Sequence, residues 1–421
     1  MSRRIVVLGG GTGGTIMANR LRHVYDRDAA EIVVVDRDDS HVYQPGLLFV
    51  PFGLARPEEI VRSRRDQLHG GIEFRQATVA EVDLQAETVR LEDGGSITYD
   101  VLIVASGARL QPEETEGLTG SGWGERVFTF YDRPGAAGLA AALARFDGGR
   151  LVVNPVDMPI KCPVAPLEFA FLADWYLQER GIRDRTELVY VTPLDGAFTA
   201  PVASEHLGGL LAQKGIELVT EFATGEVDGG GRLISYDDRE VAFDLLVTVP
   251  LHAGAGFVER STGLGDDFGF VPTDPHTLQS KAAPGVFAIG DATNLPTSKA
   301  GSVTHFEADV LTGNIRRHLE GRELEGDFDG HSNCFVETGF RRALLIDFNY
   351  ETEPLPGRFP VPGLGPLPLL KESRLNHMGK LMFQWFYWHV LLPGRDIPGV
   401  GSEMSMAGKH VADDSTPAEE N

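Results

Sequence analysis

The sequence predicts an α/β protein: two Rossmann-like doubly wound domains, one inserted in the other, followed by a C-terminal amphipathic region. Three observations carry this expectation. A glycine-rich turn at residues 9–14 lies between a strand-like run and a helix-like run. Two later strand-like runs end in small-residue turns, at Ser106-Gly107 and at Gly290-Asp291. Between them, residues 151–153, 187–191, 217–219 and 245–249 read as a second set of strands.

The first turn reads Gly9-Gly10-Gly11-Thr12-Gly13-Gly14, and the strand-like run 31–35 ends at Asp36. Glycines let the backbone approach a pyrophosphate, and the helix N-terminus behind them favours its charge. An acid at the end of the next strand holds a ribose hydroxyl pair, so Asp36 completes a dinucleotide fingerprint.

The bulk numbers exclude several classes. A net charge of −23 argues against nucleic acid, which needs a basic surface. No run of about 18 apolar residues is present, so a spanning helix is not expected. The start, MSRRIVVLGGG, breaks its apolar run with glycines at once and shows no export signal. The two cysteines, Cys162 and Cys334, support neither a disulfide framework nor a zinc site, and no metal is expected. Their count alone is what two buried, inert thiols would give.

The run 151–153 stands where a second nucleotide turn belongs, yet Asn154-Pro155-Val156-Asp157-Met158-Pro159 follows it. Prolines remove the amide donors that such a turn supplies, so NAD(P) is not expected here. Lys161-Cys162-Pro163 comes next, ahead of a helix-like run from Leu167 to Arg180. A thiol beside a lysine and a helix N-terminus is expected to have a lowered pKa.

The glycine-rich turn, the segment 99–107 and the segment 285–292 together resemble the pyridine nucleotide-disulfide reductase superfamily, whose FAD is held by segments in this order. The contexts of the two cysteines narrow the resemblance. Cys162 precedes P-x-x-E-F, and Cys334 lies in C-F-V-E-T-G. Both are similar to the sulfide:quinone oxidoreductase family, over roughly residues 3–395. The resemblance implies FAD against Gly9, Gly11, Thr12, Gly13, Gly14, Asp36, Val79, Ala105, Ser106, Gly107, Gly290, Asp291 and Lys299. It implies a redox pair, Cys162 and Cys334, with Lys299 beside the flavin pyrimidine and Glu168 either a proton carrier near the flavin or a first-turn acid that serves its helix N-terminus. Hydrogen sulfide and a membrane quinone become the expected substrates. Two departures stand out. Residues 126–132 (RVFTFYD) lack the third cysteine of many members, and 193–199 (PLDGAFT) lack a frequent histidine. An NADH:quinone oxidoreductase, or a sulfide dehydrogenase with a cytochrome acceptor, remains the alternative.

The expected domain limits are 1–112 and 271–330 for the FAD-binding part, 113–270 for the insert and 331–401 for a quinone- and membrane-facing region. Residues 353–368 read as an irregular Pro/Gly-rich connector, and 402–421 as a disordered acidic tail. Between them, 370–392 is helix-permissive and aromatic, and its Asn376-His377-Met378-Gly379-Lys380 resembles the family's motif ahead of its membrane-contacting segment. Phe340, Met378, Lys380, Phe383, Trp385, Phe386 and Trp388 are the expected quinone and lipid contacts, with Lys371, Arg374, His377 and Lys380 as a basic rim. A peripheral place on the cytoplasmic side of the cell membrane follows, and a homo-oligomer is compatible with it.

Overall fold

The computed structural model describes residues 2–360, 365–397 and 400–410. Its α-helices are α1 (Thr12–Val24), α2 (Arg133–Arg145), α3 (Ala165–Glu179), α4 (Pro201–Gln213), α5 (Gly256–Arg260), α6 (Gly301–Leu319) and α7 (Arg374–Phe386). Five parallel strands form the first sheet, in the order Val286–Ala288, Val101–Val104, Arg3–Leu8, Ala30–Asp36 and Ile72–Gln76. The residues alternate between two apolar clusters. Ile5, Val7 and Ile103 pack with Ile16, Met17 and Leu311, on the side of α1 and α6. Val6, Leu8 and Leu102 pack with Val89, Leu91 and Val258 on the other side. A parallel strand covered on both faces has no solvent side, which is why its sequence is a continuous Ile/Val/Leu run.

A second five-stranded parallel sheet runs Val127–Phe128, Leu245–Val249, Gly149–Pro155, Thr186–Val191 and Glu217–Val219. Its strands lie in the chain between Val101–Val104 and Val286–Ala288, so the second sheet interrupts the first. The turn after Gly149–Pro155 is closed from within. Asn154 is fully buried, and its Nδ2 donates to the carbonyls of Pro155 and Val191 and to Thr224 Oγ1, each at 3.2 Å. That side chain ties the strand end to its neighbours at the place where a nucleotide turn would open.

Beyond the sheets, Ser332–Gly339 and Arg342–Phe348 form an antiparallel hairpin in which Cys334 faces Ile346 in register. Helix α7 packs on this hairpin. A Cβ at Gly379 would lie 2.9 Å from the Phe335 ring, so only glycine lets the helix approach this closely. The helix starts at Ser373, whose side chain accepts from Asn376 N, and continues into a π-helix, Tyr387–Leu391. The Pro/Gly-rich connector is less irregular than expected, because Gly357–Phe359 pairs with Leu367–Leu369.

The expected tail also needs correction. Residues 402–410 return to the hairpin rather than lying free, and Lys409 Nζ meets buried Asp347 Oδ2 at 2.6 Å. A buried carboxylate demands a cation, and the chain supplies one from 62 positions later. Residues 411–421 lie outside the described residues.

Asn154→Ala strips three buried acceptors of their donor. The expected cost is about 1–3 kcal/mol of stability, read as a lower urea midpoint with an unchanged slope.

Candidate active site

The glycine-rich turn opens α1 as the sequence implies. Gly9 has φ +104, and a Cβ there would sit 2.4 Å from the Ala105 carbonyl oxygen. The two sheet-end turns are therefore pressed together, and only glycine fits between them. Nothing lies within 4 Å of a Cβ position at Gly11, so the turn leaves open space in front of the helix N-terminus. Gly13 and Gly14 are buried in the first turn of α1. Ser106 Oγ is buried without a partner beside this cradle, and Gly107 follows with φ +67. A cradle of close glycines, a helix N-terminus and an orphaned hydroxyl fits the pyrophosphate of FAD.

Asp36 Oδ2 accepts from Gly10 N at 2.7 Å and from Arg64 Nη1 at 2.8 Å. Arg64, which the sequence reading did not single out, is itself mostly buried between Asp36 and Asp38. Val79 opens the strand Val79–Asp83, in the apolar cluster behind the first sheet. Thr12 Oγ1 lies 2.7 Å from Tyr387 Oη, which also meets His41 Nε2 at 2.7 Å. The π-helix thus reaches back to the glycine-rich turn.

At the second turn, Gly290 N donates to Glu307 Oε2 at 2.7 Å. Burial holds Asp291 above the ordinary carboxylate range, against the pull of Lys299 and Lys161. Lys299 is buried; its Nζ donates to the carbonyls of Asp291 (3.2 Å) and Thr293 (2.7 Å) and lies 4.4 Å from the centre of the Phe270 ring.

The start of α6 gathers both cysteine segments. Cys162 N donates to Lys299 O at 2.7 Å, and Ser302 Oγ donates to Asn333 O at 2.6 Å, next to Cys334. Both are free thiols; Cys334 is buried and Cys162 packs against the same apolar core. Cys162 has φ +48, in the left-handed region, three residues ahead of α3. Its carbonyl accepts from Tyr131 Oη at 3.1 Å and from Ala165 N at 2.9 Å. Tyr131 belongs to the segment in which a third cysteine is missing.

The expected low thiol pKa is not found. Burial pushes the Cys162 thiol far up, and the charges of Glu168 and Cys334 add to this; Lys380 opposes them. Cys334 is pushed up to about 12, again chiefly by burial. Lys161 does not counter this: it faces Asp291 and Asp132, and burial lowers its own pKa. Desolvation outweighs the helix N-terminus because Cys334 is buried and the half-buried Cys162 packs against the apolar core.

Glu168, in the first turn of α3, is almost fully buried. Its Oε1 accepts from Glu337 N at 2.7 Å and pairs with Lys380. Lys380 Nζ also donates to Phe335 O at 3.0 Å. Lys380 therefore leaves the expected basic rim for the interior, and so does His377, whose Nδ1 lies 2.9 Å from Glu337 Oε1. Trp388 leaves the expected lipid contacts too: it is buried beneath the Arg62 guanidinium, 4.3 Å from the ring centre. Phe383 and Phe386 are half-buried. Leu375, Met378, Leu381, Met382 and Trp385 form an exposed apolar stripe on α7; Phe340, at the tip of the hairpin, is exposed too, with Lys214 Nζ 4.9 Å from its ring centre. Lys371 and Arg374 remain exposed at the start of the helix.

Glu337, His252 and Tyr131 are residues the sequence reading missed. An acid inside the apolar strand C-F-V-E-T-G was the one legible signal, because a lone buried carboxylate needs partners. His252 Nε2 is buried without a partner, 5.7 Å ring to ring from Tyr131, and burial lowers its pKa to about 3.

Burial raises the Glu307 carboxyl to about 7. Its folded form therefore holds a proton that the unfolded chain releases above 4.5, and stability falls as the pH rises from 4.5 to about 7. Glu307→Gln still offers an acceptor to Gly290 N and removes this slope. Relative to the wild type it is expected to gain ~3 kcal/mol across that window, measured by urea titration at both ends.

Comparison with known proteins agrees with these features. Residues 3–145 match the family described as Pyridine nucleotide-disulphide oxidoreductase. The chain is 27% identical to the mitochondrial sulfide:quinone oxidoreductase of Dictyostelium discoideum, covering 93% of this chain and 86% of that protein. It is equally similar, at 27% identity and the same coverages, to the mitochondrial sulfide:quinone oxidoreductase of Mus musculus. The solved sulfide:quinone oxidoreductase of Aquifex aeolicus shares the fold, with a TM-score of 0.79 over 94% of this chain and 92% of that one, at 20% identity. From the glycine-rich turn to the C-terminal helix, the chain resembles the sulfide:quinone oxidoreductases over more than nine-tenths of its length.

Proposed function

We propose that the protein oxidises hydrogen sulfide to sulfane sulfur or polysulfide through Cys162 and Cys334, and passes the electrons by way of FAD to a membrane quinone. The observation that carries this reading is the convergence of both cysteine segments on the start of α6, three residues apart, beside the Glu168–Lys380 pair. Gly9, Gly11, Thr12 and Ser106 would hold the pyrophosphate, Asp36 the adenosine ribose, and Gly290, Asp291 and Lys299 the ribityl and pyrimidine end. Bound FAD supplies a two-electron acceptor and donor.

Attack of hydrogen sulfide on a bridge between the two sulfurs breaks the S–S bond. One cysteine is left as a persulfide and the other as a thiol. A second hydrosulfide carries the sulfane sulfur away and leaves both cysteines as thiols. Re-forming the bridge from the two thiols releases two electrons and two protons, and FAD held by the residues above would be the acceptor of the electrons. NAD(P) as electron donor finds little support, because Asn154 fills the turn where it would bind.

Among the described residues no helix is long and apolar enough to cross a membrane. The exposed stripe of α7 would instead lie on the lipid surface, with Trp385 and Phe340 at the interface and Lys371 and Arg374 toward headgroups. This is a peripheral place from which a quinone is reached, on the cytoplasmic side in our reading.

Anaerobic sulfide should bleach the visible bands of the FAD-loaded protein, and a quinone analogue should restore them. Cys162→Ser and Cys334→Ser should each keep FAD and lose the bleaching; wild-type turnover in both removes the scheme. Met378→Glu with Leu381→Glu should cut sedimentation with lipid vesicles at least about ten-fold while the far-ultraviolet spectrum stays unchanged. Undiminished binding would assign the stripe to another contact.

A further inference from the structure

The Glu168–Lys380 pair does not end in the core. Glu168 Oε1 accepts the backbone N–H of Glu337, and the Glu337 side chain, 1% exposed, accepts from His377 Nδ1 at 2.9 and 3.1 Å. His377, one-fifth exposed, is the most exposed member of this group, ahead of Lys380. Three elements contribute: α3 gives Glu168, the hairpin strand gives Glu337, and α7 gives both His377 and Lys380. The row begins beside the two thiols, since the Glu168 and Lys380 charges bear on both Cys162 and Cys334.

The charges in this row do not cancel. Two buried carboxyl groups share one buried ammonium, and His377 is the remaining partner. Two carboxylates and one lysine leave a net negative charge in an apolar interior, which one bound proton removes. Burial raises both carboxyl groups, with Lys380 pulling each of them down. Burial opposes the Lys380 ammonium, yet Glu168, Cys162 and Glu337 together hold it above the ordinary lysine value.

We propose that Glu337 and His377 are proton-carrying residues of the cysteine reaction, forming with Glu168 and Lys380 a store for one proton that opens to solvent at His377. The inference rests on the sulfide-oxidising reading above. Its step is the re-forming of the bridge. Two S–H bonds break and one S–S bond forms, releasing two electrons and two protons; bound FAD would take the electrons and one proton, and the second proton leaves. Because both thiols are protonated near neutrality, that second proton needs an acceptor. Glu168 stands beside the sulfurs, and Glu337 and His377 carry the proton on to water. The N–H of Glu337 ties its backbone to Glu168 Oε1, and Lys380, bonded to that same oxygen, acts through its charge on both carboxyl groups.

Two measurements test this. The first needs no flavin: the infrared carbonyl stretch of a buried protonated carboxyl is followed against pH in the wild type, Glu337→Gln and Glu168→Gln. A band that is present at neutral pH, titrates away in alkali, and is lost or displaced in both variants is expected. Absence of such a band in the wild type overturns the store. The second follows sulfide-driven bleaching of the FAD-loaded protein by rapid mixing. His377→Ala should slow it roughly ten-fold or more, with recovery on adding imidazole, and Glu337→Gln should slow it without recovery. Wild-type rates in His377→Ala, or a loss that imidazole does not repair, overturn the route. If the wild type itself is not bleached by sulfide, the functional reading falls, and the infrared titration still decides whether the cluster holds its proton.

Discussion

Lys380 cannot be left alone in the interior, and much of the active-site architecture follows from that constraint. A buried ammonium without an acceptor costs several kcal/mol, so α7 can dock only where Glu168 of α3 and the Phe335 carbonyl await it. The pair therefore fixes three segments from distant parts of the chain: the helix after Cys162, the hairpin strand that carries Cys334, and the C-terminal helix. Glu168 adds a second tie by accepting the Glu337 amide. Replacing either charge would unfasten more than a salt bridge, because the cysteine segments are oriented by the same contacts.

Helix α7 serves two environments at once. Its inward side carries His377 and Lys380, and Gly379 between them allows the close approach to Phe335. Its outward side carries Leu375, Met378, Leu381, Met382 and Trp385, which no described segment covers. Beyond it, Tyr387 and Trp388 turn inward to the glycine-rich turn, His41 and Arg62. A π-helix shifts the register of side chains around the axis, and here it accompanies the change from an exposed face to an anchored one. The same stretch of chain thus connects the exposed apolar surface, the nucleotide cradle and the carboxyl groups next to the sulfurs.

The electrostatics of the site disfavour uncompensated charge. Thiols, carboxyls and lysines are buried or half-buried, and desolvation is the leading influence on each. Such a site changes charge reluctantly, so electron transfer within it is tied to proton movement. The lysine beside Cys162 does not relieve this, as it is turned toward Asp291 and Asp132. Adjacency in sequence placed a cation next to the thiol, yet the charges that act on the thiol are those of Glu168, Cys334 and Lys380.

The features legible in the chain are local ones. The Ile/Val runs, the glycines at 9–14 and the Gly290-Asp291 turn announce parallel strands and a dinucleotide cradle, since period and backbone freedom are properties of neighbouring residues. The missing second glycine turn was equally plain, and the buried Asn154 gives it a physical reason. Whatever depends on burial and on distant partners came from the packed fold. It turned Lys380, His377 and Trp388 inward from an amphipathic stretch, brought residues 402–410 back onto Asp347, and raised the thiols that sequence adjacency would have lowered. Desolvation is set by whatever packs around a group, and those neighbours come from parts of the chain that no local pattern connects.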